Sequence, residues 1–475
     1  MASLSTPDLC VIGAGASGMA VAEAARRLGA SVTLIEKGEP GGNSLRSGAL
    51  ALAALGAAAR HASLAARAAP FGVALDPPTI SFRKVRDHIA EIIRDTAPEA
   101  AAPRLAALGI DLVGGTGHFT DPRTLKAGEV TIEAKKYVIA TGARSVLPDV
   151  PGLLGVPYFT TETIFDNTRK PEHLLILGAG PMGLELGLSY RRLGAAVTIV
   201  DTGKALAYCD PELAEIALRR LRDEGVVLHE QSAAVAIQGQ DEAITASIRA
   251  GDDMLSVTVS HVLVAAGRTP NVEELNLNAA KIRRSAPQGG RLLLNAALRT
   301  TNSRVFAVGE AAGHAPHLSA LEADLVVRAA LSGRASPYDP TLAPRLTLTD
   351  PPIAEIGLTE PMARTRLRAG YSVLRAGFTE NDLARAERDG MGLVKLVVGK
   401  TGKLLGAAVV GAGAGELIAL FALAIAEQID VKALANLAAP YPSHAELARL
   451  LGEQAAASAP NPRFRGGFSL SRLLG

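Results

Sequence analysis

Six glycines in two matched sets carry the chemistry this chain is built for. Gly13, Gly15 and Gly18 follow the apolar run Leu9-Cys10-Val11-Ile12, and Glu36 closes the next apolar run, Val32 to Ile35. Gly178, Gly180 and Gly183 follow Leu174 to Leu177, and Asp201 closes Val197 to Val200. In both copies the acid stands 23 positions after the first glycine (13 to 36 and 178 to 201). A lone G-x-G-x-x-G is weak, but strand, glycines, helix, second strand and acid in that order specify a dinucleotide-binding unit. The first glycine makes the turn, the second lets backbone approach a pyrophosphate, and the third lets helix pack against strand. The helix N-terminus then offers unpaired N–H groups and a positive dipole end to the phosphates. The acid accepts hydrogen bonds from a ribose diol. Two such units hold two dinucleotides, and a protein that passes electrons between them is the natural reading.

The surrounding elements must be short parallel strands alternating with helices. Tyr137 to Ala140 reads as a buried strand ending in the turn Thr141-Gly142-Ala143-Arg144, and His261 to Ala266 is its counterpart before Gly267-Arg268. The nucleotide-binding unit is thus duplicated, with the second copy inserted in the first. Val305 to Val308, ending at Gly309-Glu310, returns to the first. Helices are expected from Ser47 to Ala69 and Phe82 to Leu108, and from a capping box at Ser319-Ala320-Leu321-Glu322 to Gly333. The proline-rich passage Pro337 to Pro352 reads as a linker. Beyond it, strands at Leu393 to Val398 and Leu404 to Val410 and a helix at Glu416 to Glu427 suggest an α+β domain. The fold class is therefore α/β: two Rossmann-like dinucleotide-binding domains (residues 1–147 with 269–338, and 148–268), a C-terminal α+β domain (339–458) and a tail (459–475).

Composition narrows the function classes. The 475 residues are 48% hydrophobic with a formal charge of +2, and no polybasic run interleaves with aromatics, which argues against nucleic-acid binding. Met1 to Ser5 run almost directly into a strand, leaving no room for a secretory signal. The apolar stretch Ala49 to Ala59 is alanine-rich and too short to span a bilayer. Cys10 and Cys209 are the two cysteines, and neither has metal or C-x-x-C spacing; a reducing cytoplasm and no metal follow. The tail mixes arginines with Phe464, Phe468 and Leu473; docking on the protein's own dimer, or disorder, is favoured over contact with a membrane surface or a partner protein.

With both fingerprints, the Thr141-Gly142 turn, Gly309-Glu310, and the segment from Thr349-Asp350-Pro351-Pro352 to Gly357-Leu358-Thr359-Glu360, the chain resembles the flavoprotein disulfide reductases. This is the class I pyridine nucleotide-disulfide oxidoreductase family of dihydrolipoamide dehydrogenase, glutathione reductase and mercuric reductase, and the likeness is nearest the mercuric-reductase-like branch. The resemblance implies FAD on the first fingerprint, with Gly42, Thr141, Gly142, Gly309, Glu310 and Ser319 at the same site. It implies a pyridine nucleotide on the second, with Gly267 nearby, and a C-terminal domain that forms a homodimer. It also implies that the helix from Ser319 aims its N-terminus at the flavin, where its dipole favours the anionic reduced ring. Asp201, followed by Thr202 rather than an arginine, favours NAD(H) over NADP(H), with Lys204 the one nearby complication.

The departures fall along one electron path. The resemblance places a redox-active cysteine pair where this chain has Ser44 and Ala49, and a lysine where it has Ala53. Neither Ser44 nor Ala49 can form a disulfide or a polarisable thiolate. The lysine's ionic partner remains as Glu185, for which Arg46 is a candidate replacement cation. The C-terminal His-Pro…Glu acid/base pair appears as Tyr441-Pro442 with Glu446; a phenol titrating near 10 is a poor general base at neutral pH. His444 is the histidine of that turn, expected to be buried or at the interface. Glu310 stands where the family's ribityl-binding aspartate would, one methylene longer. The expectation is an FAD-dependent NAD(P)H oxidoreductase that delivers electrons to a quinone, dye-like acceptor, oxygen, nicotinamide or protein, without protein thiols. The rival is a catalytically silent flavin-binding homodimer acting as a scaffold or sensor.

Overall fold

The computed structural model describes residues 3–240, 243–285, 290–314 and 318–457. They form two compact units: Met1–Ala205 with Arg222–Asp339, and Leu206–Leu221 with the chain from Pro340 onward.

The first unit holds two five-stranded parallel sheets of matching design. One runs in the order Val305–Ala307, Lys136–Ile139, Leu9–Ile12, Val32–Glu36, Ile110–Gly114. The other runs Tyr158–Thr160, His261–Val264, His173–Leu177, Ala196–Val200, Val227–His229. In each, the strand before the glycines is central, flanked by the strand that ends in the acid and by the strand that ends in the 140s or 260s turn. Leu9–Ile12 is buried throughout, which is why it reads as a continuous apolar run rather than an alternating one. A three-stranded antiparallel sheet (Ser232–Gln240, Ala243–Ala250, Asp253–Val259) interrupts the second design before His261–Val264.

Of the first two expected helices, one stands and one needs correction. The helix expected from Ser47 to Ala69 is present as Ala49–Ala68, and a separate short helix, Gly42–Arg46, precedes it. At the break, a Cβ on Gly48 would fall 2.9 Å from the Asn43 carbonyl oxygen and from the Ser44 Cα. Arg60 and His61 end the apolar run in sequence but not the helix. Residues 42–71 are therefore long and apolar enough to cross a membrane by length and composition alone, contrary to the expectation. The long helix instead packs against Phe82–Thr96 and Pro181–Arg192, burying Ala51, Leu52, Ala54, Leu55 and Ala59. The helix from Phe82 ends at Thr96, not Leu108. Pro98 and Pro103, lacking an N–H, divide the remainder into one tight turn and the separate helix Ala102–Ala107.

In the second unit a five-stranded antiparallel sheet runs Arg345–Thr347, Ile353–Gly357, Leu404–Val410, Leu393–Gly399, Tyr371–Gly377. Its apolar face packs under the helices Ala414–Ala426 and Glu446–Ala457 around Phe378, Phe421 and Leu451. The supposed linker thus contributes a sheet strand, Arg345–Thr347. Buried in this unit, Lys395 (4% exposed) contacts Asp210 at 2.9 Å, Glu212 at 2.8 Å and Glu360 at 2.7 Å. Burial pushes its ammonium down, but hydrogen bonds to Glu212, Glu360 and Asp210 outweigh that and hold it above the ordinary lysine value. The residues 459–475 lie outside the described residues.

Candidate functional site

The first fingerprint loop is shaped by what its glycines lack. Gly13 turns at φ +105°, and a Cβ there would meet the Ala140 carbonyl oxygen at 2.5 Å. A Cβ on Gly18 would collide with the Gly13 carbonyl oxygen at 1.8 Å, so helix Ala16–Arg27 closes directly on the loop. Gly15 is different: the nearest atom to its Cβ position is the Gly42 Cα at 3.9 Å, leaving the backbone open to a ligand. The Glu36 carboxylate draws the loop together, accepting from Ala14 N at 2.7 Å and Gly38 N at 2.9 Å. The second fingerprint repeats this atom for atom. Gly178 sits at φ +116° against the Ala265 carbonyl oxygen, Gly183 against the Gly178 carbonyl oxygen, and Gly180 has open space. Asp201 accepts from Ala179 N at 2.6 Å and Gly203 N at 2.7 Å.

A cleft opens at the first loop. Its walls bring together Gly13, Gly15, Glu36, Gly42, Ser44, Thr141, Gly142 and Glu310. Gly18, Gly309 and Ser319 support it from behind rather than line it. Gly42 lies tight against the first loop: a Cβ on it would stand 2.9 Å from the Gly15 Cα. Asn43 Nδ2 donates to the Ala143 carbonyl oxygen at 3.1 Å, fixing the short helix that presents Ser44. Ala49 is exposed, on the far side of the helix break, and is not among the cleft residues. Arg46 does not serve Glu185: it pairs with Glu39 at 2.7 Å and donates to the Pro40 carbonyl oxygen. Glu185 is 6% exposed on the helix Pro181–Arg192.

Three further residues act at the cleft without having announced it. Arg268 donates through Nε to Glu310 at 2.6 Å, through Nη1 to Glu162 at 2.6 Å, and through Nη2 to the Ala143 carbonyl oxygen at 2.6 Å. Burial raises Glu162, but the Ser145 hydrogen bond and the Arg268 charge together hold it below the usual glutamate range. Asn271, on the cleft wall, donates to the Thr141 carbonyl oxygen at 3.2 Å and steadies that turn. Arg268 and Asn271 flank Thr269-Pro270, a turn signal that marked the place but not the contacts. Glu322 is the third. The expected capping box does not form: helix Ser319–Ser332 has no side-chain cap, Ser319 Oγ meets Ser17 Oγ at 2.8 Å, and Glu322 accepts from Gly309 N at 2.6 Å.

Comparison with known proteins fits this geometry. Residues 7–333 match the pyridine nucleotide-disulphide oxidoreductase family, and 343–450 match its dimerisation domain. The chain belongs to that family. A mercuric reductase of Streptomyces lividans is 33% identical over 456 residues, spanning 94% of this chain and 95% of its own. A dihydrolipoyl dehydrogenase of Geobacillus stearothermophilus is 29% identical over 463 residues, spanning 94% and 96%. In fold, the chain is similar to LpdA of Mycobacterium tuberculosis (TM-score 0.85, 23% identity, 95% of this chain and 99% of that one). It is similar also to RclA of Escherichia coli, an HOCl-induced flavoprotein disulfide reductase (TM-score 0.81, 23% identity, 94% and 99%). The chain is thus a flavin-dependent oxidoreductase of the pyridine nucleotide-disulphide oxidoreductase family.

The remaining candidates of this family member lie in the second unit. Tyr441 is 74% exposed, with its hydroxyl 3.3 Å from Asp382 Oδ2. The Asp382 charge and hydrogen bond raise its phenol further above 10, away from service as a base. Glu446 opens the helix Glu446–Ala457, and His444 is mostly buried beside Phe378 with ring centroids 5.3 Å apart. Both native thiols are buried, and burial pushes Cys10 and Cys209 up. Among the described residues no group of three or more His, Cys, Asp or Glu is placed to hold a metal.

Proposed function

We propose that this protein is an FAD-dependent NAD(P)H oxidoreductase that gives electrons to an acceptor other than a protein disulfide, and that it works as a homodimer. One observation carries the reading: the cleft that unites Gly13, Gly15, Glu36, Gly42, Thr141, Gly142 and Glu310 has Ser44 in its wall, and no cysteine. The residues present fit FAD, since the Gly15–Gly42 approach leaves a backbone-lined floor that any Cβ would fill. When bound there, FAD supplies a ring that takes up a hydride equivalent and releases electrons in one or two steps. The chain's own groups do the rest. Glu36 would hold the adenosine ribose and the N-terminus of Ala16–Arg27 the pyrophosphate, while Arg268 fixes Glu310 at the other end of the cleft. The helix Ser319–Ser332 directs its positive end to the same turn. Asp201 with Thr202 favours NAD(H) over NADP(H) at the second loop. Tyr441, with its raised phenol, stays protonated at neutral pH and is no base there, with Glu446 five residues on.

A thiol relay is disfavoured because Ser44 and Ala49 hold no sulfur, and the two native cysteines are buried elsewhere. The relatives' names nonetheless put mercuric ion and a lipoyl disulfide in the acceptor panel, beside quinones, dyes and oxygen. The decisive test is an anaerobic titration of the FAD-bound protein with NADH and NADPH, following flavin absorbance. Bleaching by about one equivalent of NADH, with no long-wavelength thiolate band, is the expected result. Persistent oxidised flavin would replace this reading with a catalytically silent homodimer serving as scaffold or sensor. Fast turnover of lipoyl disulfide would overturn the choice of acceptor.

A further inference from the structure

The turn from Gly309 to His314 forms part of the cleft wall through Glu310, and its hold on the rest of the unit is unusual. Its backbone closes on itself, with Gly313 N donating to the Glu310 carbonyl oxygen and His314 N to the Gly309 carbonyl oxygen, both at 3.0 Å. Behind it stands Glu322, with 0% of its surface exposed. One carboxylate oxygen accepts from Gly309 N at 2.6 Å, and the other lies 2.7 Å from His314 Nδ1. The second contact does not have hydrogen-bond geometry, and both facing atoms are buried without a directed partner. One buried side chain therefore holds the Gly309 end by a hydrogen bond and lies against the His314 ring at the other end.

A carboxylate with no water contact is costly unless something compensates it, and a buried acid kept only for packing would be better replaced by leucine. Among the described residues, the compensation of Glu322 comes from this turn: the Gly309 N–H donates to Oε2, and Oε1 faces the His314 ring. The position it enforces is exacting. Gly309 stands at φ +61°, and a Cβ there would meet Ser17 Oγ at 2.3 Å, so the turn is pressed against the first fingerprint helix. Ser17 is itself a cleft residue and is joined to Ser319. On the cleft side Arg268 holds Glu310. The turn is thus fixed from the front by a cation and from behind by an anion.

We propose that Glu322 is a positioning residue of the cofactor cleft, setting the backbone of the Gly309–Glu310 turn and through it the affinity for FAD. This rests on the FAD reading above. Leucine at 322 would fill the same core position while removing the acceptor for Gly309 N. Aspartate would keep the charge but withdraw it by one methylene, and glutamine would keep an acceptor for Gly309 N.

The test compares full-length wild type with E322L, E322D and E322Q. Amide hydrogen exchange at residues 305–314 is read without and with FAD, and FAD affinity by flavin fluorescence. E322L and E322D are expected to exchange at Gly309 at least tenfold faster and bind FAD at least tenfold more weakly, while the Leu9–Ile12 strand stays protected. E322Q is expected to recover most of both. If E322L fails to fold, E322D against E322Q decides. A folded E322D with wild-type exchange overturns the proposal, and so does faster exchange with unchanged FAD affinity. Wild type that takes up no FAD sinks the function proposed above and is seen in the unmutated chain. Unaltered variants beside an FAD-binding wild type sink this inference alone.

Discussion

In the first fingerprint Glu36 gathers Ala14 N and Gly38 N, and in the second Asp201 gathers Ala179 N and Gly203 N. The loops are built alike because three glycines and one acid leave the backbone a single way to turn. What surrounds them differs. Beside the first loop lies a second glycine turn, Gly41-Gly42, whose Gly41 N donates to the Ala14 carbonyl oxygen, and the cleft opens there. Beyond the second, the segment Leu206–Leu221 leaves its own sheet and joins the other unit, where Asp210 and Glu212 meet Lys395. The same local code therefore serves two sites, and the flanking segments decide what each becomes.

Removing the anchor of the second copy is the harshest way to break that parallel. K395M leaves Asp210, Glu212 and Glu360 facing one another without their cation, and should destabilise the second unit by about 3–5 kcal/mol in urea unfolding. The pH dependence has a defined sign. Hydrogen bonding from Lys395 holds Glu360 below its ordinary 4.5, so its contribution is full above that value and is lost as pH falls through the folded one. Lys395 is held above 10.5, so its contribution is present below that pH and lost on strong alkalinisation. The gap between wild type and K395M should therefore narrow as pH drops below about 4.

Next come the first glycines. Alanine at 13 or 178 combines a left-handed φ with a carbonyl clash, a cost of about 3 kcal/mol, or over a hundredfold in affinity. G13A is expected to purify without FAD. G178A should keep its FAD and lose reduction by NADH, read in the same absorbance titration. Equal effects of both variants on FAD would break the assignment of two separate sites. The gentlest probe is the acids. E36Q and D201N each forfeit one loop contact, about 1–1.5 kcal/mol, roughly tenfold in affinity at their own site. D201N should in addition narrow the preference for NADH over NADPH, measured as a ratio of kcat/KM values.

Much of this was legible because the informative residues are backbone residues. Gly13, Gly15 and Gly18 state φ angles and close approaches, and both parallel sheets follow from them with the runs at Leu9 and Leu174. Residues that act through contacts distant in sequence stayed hidden. Arg268 reaches Glu310 and Glu162 across 42 and 106 positions. Glu322 sat in a perfect capping-box pattern, yet burial and the Gly309 amide claimed its carboxylate. Arg46 was two residues from Ser44, but Glu39 is reached on the same side of the short helix. The strand Arg345–Thr347 was disguised by prolines on either side, which bound it without interrupting its ladder. Periodicity likewise could not show that Gly48 breaks the helix between Ser44 and Ala49.

The burial of Cys10 and Cys209 has a practical consequence. With both native thiols sealed in core positions, S44C would introduce a single addressable thiol facing the cleft. A maleimide fluorophore or nitroxide placed there would report occupancy directly, without stripping any other cysteine from the chain.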